Sequence, residues 1–353
     1  MKRLTYISKF SRPLANEEIE DIGRISNNNN KIEDITGVLL CLGEIFFQIL
    51  EGDAQKIDKI YEKILNDDRH IEILCLKTEE NIQERLFPDW SMKTINLDED
   101  TDVFIRPIKT LLKTVTESHR ILEKYTQPTI FKIISSGINP LEASPRAVEK
   151  IVLFSDIVSF STFVEKLPVE SVVSIVNQYL TIVTNIITAR SGEVTKFIGD
   201  CVMAYFPAEQ GDDAIQASIE ILTELENLRN SEPEGSPLKV LYTGIGLAQG
   251  VVIEGNIGSS VKKDYTILGD AVNVAQRLES LTRTLSWPIV FSLDVKNSLN
   301  KSWEFVELGT FHPKGKEKPI EIYSISHFVS KKQIDSDGLA RKISSYLDSI
   351  KQF

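Results

Sequence analysis

Two apolar runs in the second half of the chain each deliver an aspartate to a strand end, and no other feature limits the fold and its chemistry as tightly. The first, Lys150-Ile151-Val152-Leu153-Phe154-Ser155-Asp156-Ile157, carries Asp156. The second passes through Lys196-Phe197-Ile198-Gly199-Asp200-Cys201-Val202-Met203, where Gly199-Asp200 reads as the tight turn of a hairpin. A hairpin folded beside the first strand brings the two carboxylates together. Two Asp oxygens and a backbone carbonyl make a hard-oxygen site suited to Mg²⁺ or Mn²⁺ that also holds substrate phosphates. That is the apparatus of two-metal phosphoryl or nucleotidyl transfer. An aspartate at a strand end or turn is also a common structural residue, so the surrounding sequence has to decide.

Downstream, Asp264-Tyr265-Thr266-Ile267-Leu268-Gly269-Asp270-Ala271-Val272-Asn273 predicts a short strand, a glycine turn and then a helix continuing through Glu279. Asn273 and Arg277 are four apart and share a face of that helix, so they can reach one ligand together. An amide with donors and an acceptor, beside a fixed cationic fork, suits a ribose and a phosphate. The neighbours Val272, Val274, Ala275 and Leu278 predict that the helix is half buried rather than solvated all round.

From about residue 146 to 330 the chain resembles a class III nucleotidyl cyclase catalytic domain. The phrases Phe154-Ser155-Asp156-Ile157, Lys196-Phe197-Ile198-Gly199-Asp200, Gly250-Val251-Val252-Ile253-Glu254-Gly255-Asn256-Ile257-Gly258 and Gly269-Asp270-Ala271-Val272-Asn273-Val274-Ala275-Gln276-Arg277 stand in that family's order. The resemblance implies that Asp156, Asp200 and the backbone carbonyl of Ile157 hold two Mg²⁺ (or Mn²⁺) ions. It implies that Lys196 and Thr266 read the purine, that Asn273 and Arg277 orient the ribose and stabilise the transition state, and that Lys314 contacts the triphosphate. A lysine donor suits adenine N1, and Thr266 can accept from the N6 amine, whereas guanine would call for a Glu at position 196. Adenylyl cyclase is therefore expected, converting ATP to 3′,5′-cyclic AMP and pyrophosphate; guanylyl cyclase is the alternative. Many members of the family carry Asp where Thr266 stands. In this family the carboxylates and the Asn/Arg pair meet across a dimer interface, so a homodimer with two composite sites is implied.

The first ninety-odd residues predict a strand at Leu4 to Ser8, a helix capped by Asn16 and ending in the polar run 26–30, and a hairpin from Ile35 to Gly52. A helix from Ala54 to Leu65 and a strand from His70 to Leu76 follow. Ile19, Ile22 and Ile25 are placed on the buried side of the first helix. The order βαββαβ is a ferredoxin-like topology, which makes the whole chain α/β (α+β) in class. Tyr6 and Gln48 fall inside strands where apolar residues are expected, and a phenol and an amide buried there need partners.

With Asn30 and Trp90-Ser91-Met92, those residues stand at the spacings of a BLUF domain, a blue-light sensor that binds flavin non-covalently. Ile35-Thr36-Gly37-Val38-Leu39-Leu40 and Phe47-Gln48-Ile49-Leu50-Glu51-Gly52 are similar to that family's phrases. The resemblance implies that Tyr6 is the electron donor to the excited flavin, FAD or FMN, and that the hydrogen bonds of Gln48 rearrange. It implies that Asn30 holds the ring edge and that Trp90 and Met92 relay the change to the last strand. Arg69 and His70, at a strand start near the pocket mouth, are candidates for the flavin's phosphate tail.

Between the modules, Ile108, Leu111, Leu112, Val115, Ile121 and Leu122 predict an amphipathic helix from about Pro107, with a seam that pairs with its copy in a dimer. A passive spacer is the alternative. The expected division is 1–95 sensor, 96–145 helical linker, 146–330 catalytic domain and 331–353 a C-terminal helix of open role, with Leu339, Ile343, Tyr346, Leu347 and Ile350 on one side. A net charge of −11 argues against nucleic acid as partner. Cys41, Cys75 and Cys201 lack metal spacing and fit reduced core residues in a cytoplasm. No uncharged run of membrane-spanning length is expected, and so no membrane partner. The readings that remain are a blue-light-activated adenylyl cyclase, its guanylyl counterpart, and a flavin photoreceptor whose cyclase-like domain only dimerises.

Overall fold

The computed structural model describes residues 1–97, 105–135, 140–312, 319–327 and 336–350. The chain divides into two compact units, Met1–Ala143 and Ser144–Phe353.

In the first unit, strand β1 (Lys2–Phe10) leads to helix α1 (Asn16–Glu33), then to the hairpin β2 (Thr36–Leu42) and β3 (Ile45–Gly52). Helix α2 (Ala54–Leu65), β4 (His70–Glu79) and β5 (Lys93–Asn96) follow, and helices α3 (Ile105–Tyr125) and α4 (Pro128–Ser135) complete the unit. The described strands form one sheet in the order β4-β1-β3-β2-β5. Strands β4, β1, β3 and β2 give the ferredoxin-like arrangement, and β5 adds a parallel edge beside β2. Apolar residues on one sheet face, among them Leu4, Leu39, Phe46 and Leu50, bury against Ile19 of α1 and Ile57 of α2.

Helix α1 departs from its sequence reading at both ends. Asn16 is not the cap: Ala15 precedes the helix, and Glu18 turns back so that its carboxylate accepts from the Ala15 N–H at 3.0 Å. The Asn16 side chain instead accepts from Asn96 of β5. Nor does the helix end in the asparagine run; it continues to Glu33 and closes at Asp34, in the left-handed region. Asparagine has modest helix propensity, but packing outweighs propensity here because Asn30 is drawn into the interior. Ile25 is 51% exposed rather than buried. Successive steps of three drift around a 3.6-residue helix, and the buried face instead follows Ile19, Gly23 and Asn30. Strand β4 also runs three residues past Leu76, to Glu79.

In the second unit, β6 (Arg146–Ile157) is followed by α5 (Phe160–Lys166), α6 (Val169–Ala189), the hairpin β7 (Glu193–Ile198) and β8 (Cys201–Pro207), and α7 (Gly211–Ser231). Strands β9 (Thr243–Gly258) and β10 (Lys263–Leu268), α8 (Asp270–Leu285), β11 (Ile289–Ser292), α9 (Leu293–Asn297), β12 (Phe305–Phe311), β13 (Ile320–Ile325) and α10 (Ser336–Ile350) complete it. The sheet order is β12-β13-β11-β9-β6-β8-β7, with β10 paired to β9. Helix α8 lies along β9 at a distance only glycine allows: a Cβ at Gly246 would stand 2.1 Å from the Glu279 backbone nitrogen. On helix α10, Ile343 and Leu347 are fully buried in this unit's core and Leu339, Tyr346 and Ile350 pack against it.

The expectation that no run is long and apolar enough to span a bilayer is corrected by α6. Among the described residues it is the one helix that qualifies by length and composition. Its residues Ile175, Tyr179, Val183 and Ile187 pack in the core of this unit. A helix covered by a sheet and a neighbouring helix can be as apolar as a membrane span, because protein rather than lipid surrounds one side of it.

Candidate active site and flavin cavity

Strand β6 is central in its sheet, between β9 and β8, and Asp156 lies at its end opposite Gly244 of β9. Beneath it, the hydroxyls of Ser155, Tyr179 and Thr243 form a closed buried cluster with spacings of 2.7–3.0 Å. Thr243 also donates to the Asp156 backbone carbonyl at 2.8 Å, so the strand end is fixed from below. The hairpin β7–β8 turns at Gly199, whose φ of +67° is in the left-handed region, and this turn carries Asp200 to the same place. The Asp200 carboxylate accepts from the Ile157 N–H at 3.2 Å.

Burial first, and the facing Asp156 carboxylate second, push Asp200 up to about 8. The Oδ1 of Asp156 is buried without a hydrogen-bond partner. Two half-buried carboxylates held together, one with an orphaned acceptor, fit a divalent cation, which would remove both the repulsion and the missing contact. Among the described residues no third His, Cys, Asp or Glu completes a larger metal cluster, so a carbonyl such as that of Ile157 is the natural additional donor.

Around this pair the sequence reading missed three residues. Arg283 donates to Asp156 Oδ2 at 3.1 Å and pairs with the buried Glu279 at 2.8 Å. Burial pushes Glu279 up to about 7, against the pull of Arg283. Asp264 holds the Lys196 ammonium at 2.5 Å and lies two residues before Thr266, on the same side of β10. The i, i+4 spacing of Glu279 and Arg283 was visible as a helix pair, but nothing in the sequence joined either to Asp156. Asn273 and Arg277 share the more open side of α8, while Val274, Ala275 and Leu278 are buried. Lys314 lies outside the described residues.

In the first unit a cavity of about 320 Å³ opens between the sheet, α1 and α2. Its walls include Tyr6, Asn30, Gln48, Arg69 and His70, with Phe46, Leu50 and Ile64 as apolar surface. Tyr6 and Gln48 stand directly opposite one another in the β1–β3 register, and the Tyr6 hydroxyl donates to Gln48 Oε1. The Gln48 amide nitrogen points to Met92 Sδ at 3.4 Å, and Asn30 donates to the Ser91 carbonyl at 3.0 Å. Burial drives the Tyr6 phenol far above its usual range. His70 lies tilted against Phe46 and shares a 2.7 Å hydrogen bond with Ser8, and burial lowers its imidazole from the ordinary value. Arg69 is paired with Asp67 at the mouth. Trp90 is not brought into this network: it is 38% exposed and stacks on Phe87. A cavity of this size, apolar on its faces and amide-lined at one edge, fits a planar heteroaromatic ring such as flavin.

Fold and site together define a flavin-type sensor joined to a nucleotidyl cyclase unit. Residues 1–93 match the BLUF family, "sensors of blue-light using FAD". Residues 144–327 match the "Adenylate and Guanylate cyclase catalytic domain". The solved structure of a bacterial light-regulated adenylyl cyclase is 54% identical, with a TM-score of 0.92, over 98% of this chain and 99% of that one. Photoactivated adenylate cyclase subunit beta of Euglena longa is 31% identical over 84% of this chain and 34% of its own length. Subunit alpha of Euglena gracilis is 32% identical over 84% of this chain and 29% of its own length. The chain thus spans about a third of the length of the curated relatives it matches. It belongs to the class III cyclase family, in the branch that carries a BLUF domain in front of the catalytic domain.

Proposed function

We propose that this protein is a blue-light-activated adenylyl cyclase, converting ATP to 3′,5′-cyclic AMP and pyrophosphate in a homodimer in the cytoplasm. The observation that carries the catalytic half is the convergence of Asp156 and Asp200 with an orphaned buried Oδ1. Two Mg²⁺ ions held there by both carboxylates and the Ile157 carbonyl would supply Lewis-acid activation of the ribose 3′-hydroxyl and neutralise charge on the phosphates. The chain's own residues bind and orient. Lys196, steadied by Asp264, donates to adenine N1, and Thr266 accepts from the N6 amine. Asn273 holds the ribose, and Arg277 places its guanidinium on the α-phosphate oxygens as charge develops there. Lys314 is assigned to the triphosphate by the family motif alone.

Exposed apolar residues support a composite site. Phe197, Ile198 and Leu268, each about half exposed, stand next to Lys196, Gly199 and Gly269, where a partner subunit would cover them. On α3, Ile108, Leu111, Leu122 and Tyr125 form an exposed stripe at helical spacing, as a dimer seam requires.

For the sensor, FAD is proposed as the ligand of the cavity; it would absorb the light and supply an electron acceptor. Asn30 holds its ring edge, and Tyr6, hydrogen-bonded to Gln48, is the electron donor. The Tyr6–Gln48–Met92 chain has two arrangements, because rotating the Gln48 amide exchanges its acceptor and donor ends. Met92 begins the route outward, since β5 starts at the next residue and Leu97 just beyond it packs with Leu42 and with Leu112 of α3. The test is cyclic nucleotide formation by the purified yellow protein with Mg²⁺ and either ATP or GTP, in darkness and under blue light. A light-dependent rise with ATP is expected. Equal rates in light and dark would overturn the switch, and preference for GTP would overturn the base assignment.

A further inference from the structure

We propose that Arg283 is a positioning residue of the metal site: anchored by the buried Glu279, it engages one oxygen of Asp156 and leaves the other turned toward the cation. This rests on reading Asp156 and Asp200 as the metal pair. The geometry divides the Asp156 carboxylate in two. Oδ2 accepts from Arg283 Nη2 at 3.1 Å, while Oδ1 is buried and has no hydrogen-bond partner. A free aspartate at a strand end could rotate about χ2 and offer either oxygen. Here one oxygen is committed, and the rotation is blocked without spending the donor the cation needs.

The anchor is itself buried. Glu279 is 4% exposed and sits where α8 crosses β9 over Gly244 and Gly246, with its Oε1 at 2.8 Å from Arg283 Nη1. A guanidinium so close to a cation site would oppose a divalent ion if it stood alone. Glu279 offsets that charge, so the pair orients Asp156 with little net repulsion. A planar fork with donors on both terminal nitrogens can bridge Glu279 and Asp156 at once, which a single ammonium does less well. The same helix carries Arg277 and Asn273 about two and about three turns before Arg283, so α8 serves the metal pair of its own subunit at one end and the nucleotide residues at the other.

The experiment is Mn²⁺ binding to the full-length flavin-loaded protein in darkness with 3′-deoxy-ATP, which lacks the attacking hydroxyl and cannot turn over. Free Mn²⁺ is read by electron paramagnetic resonance. Arg283→Ala is expected to weaken Mn²⁺ binding about tenfold or more, in the range found when an outer partner of a metal ligand is lost. Arg283→Lys should recover part of that loss. Glu279→Gln, which keeps the shape and the Arg283 side chain, should weaken binding in the same direction by a smaller factor. In an Asp156→Asn background, Arg283→Ala should add nothing, because its effect passes through that carboxylate. Unchanged or tighter Mn²⁺ binding by Arg283→Ala would overturn the proposal, as would full additivity with Asp156→Asn. Were Asp156→Asn and Asp200→Asn each to bind Mn²⁺ like the wild type, the metal reading itself would fall, a result separate from the behaviour of Arg283.

Discussion

The sensor and the catalytic unit both bury polar side chains against a largely antiparallel sheet, yet they leave them in opposite conditions. In the sensor, Tyr6, Gln48 and Met92 form one chain of neutral hydrogen bonds, and Asn30 with the Ser91 carbonyl forms another. In the catalytic unit, Asp156 and Asp200 are two carboxyl groups brought together, burial and the facing Asp156 pushing Asp200 up to about 8, with one acceptor left over. A neutral chain whose central amide can exchange its donor and acceptor ends has two arrangements and so suits a switch. An open pair of carboxylates is unfavourable until a cation arrives and so suits a binding and reaction centre. The difference comes from residue type, since a primary amide has a donor and an acceptor to exchange while a carboxylate has only acceptors.

The largest effect expected from this contrast is on the charged side. Asp200→Asn should lower cyclase activity about a hundredfold or more, as loss of one group stabilising the transition state commonly does. Flavin absorption should remain as in the wild type, because the substitution lies in the other unit. Activity within twofold of the wild type would remove the metal mechanism. On the neutral side, Gln48→Leu keeps the volume and removes the exchangeable amide, so the ratio of lit to dark activity should fall to about one. A retained light response would show that the switch does not run through Gln48.

A change of base preference tests the charged side more finely. Lys196→Glu with Thr266→Cys should raise the ratio of GTP to ATP turnover about tenfold, one or two hydrogen bonds' worth. Total activity should fall as well, because the new Glu would face Asp264 in place of an ion pair. An unaltered ratio would mean that these positions do not read the base.

The smallest effect is a pH dependence of sensor stability. Burial depresses the His70 pKa below its ordinary 6.5 in the folded protein. The unfolded chain therefore takes up the proton first as pH falls, and the contribution present above pH 6.5 is lost on acidification. The melting temperature of the sensor should drop between pH 7.5 and 5.5, and His70→Gln, which can still bond Ser8, should drop by less. Asp67 and Arg69 also face the imidazole, pulling its pKa in opposite directions. An equal drop in both proteins would assign the effect elsewhere.

Much of this was legible in the chain because it is local. The hairpin 35–52, the helix 54–65, the turn at Gly199 and the strand-to-helix passage at Gly269 each rest on residues within one or two turns of each other. Helix α1 was misjudged at its cap, its buried face and its end, because its asparagines are held by contacts with β5 and the Ser91 carbonyl, which local propensity does not contain. Strand alternation placed Tyr6 and Gln48 inside the sheet, and the register then set them opposite one another.

What the sequence determined by itself was the kind of chemistry: two strand-end carboxylates, an Asn/Arg pair on one helix face, and a phenol and an amide where apolar side chains belong. What only the tertiary structure decided was which partner each group has. Arg283 meets Asp156 across 127 residues of chain, Asp264 meets Lys196 across 68, and Trp90 faces outward while Met92, two residues on, meets Gln48. Spacing along a chain fixes periodicity and faces. Distances between remote side chains are set only once sheets have chosen a register and helices have packed against them.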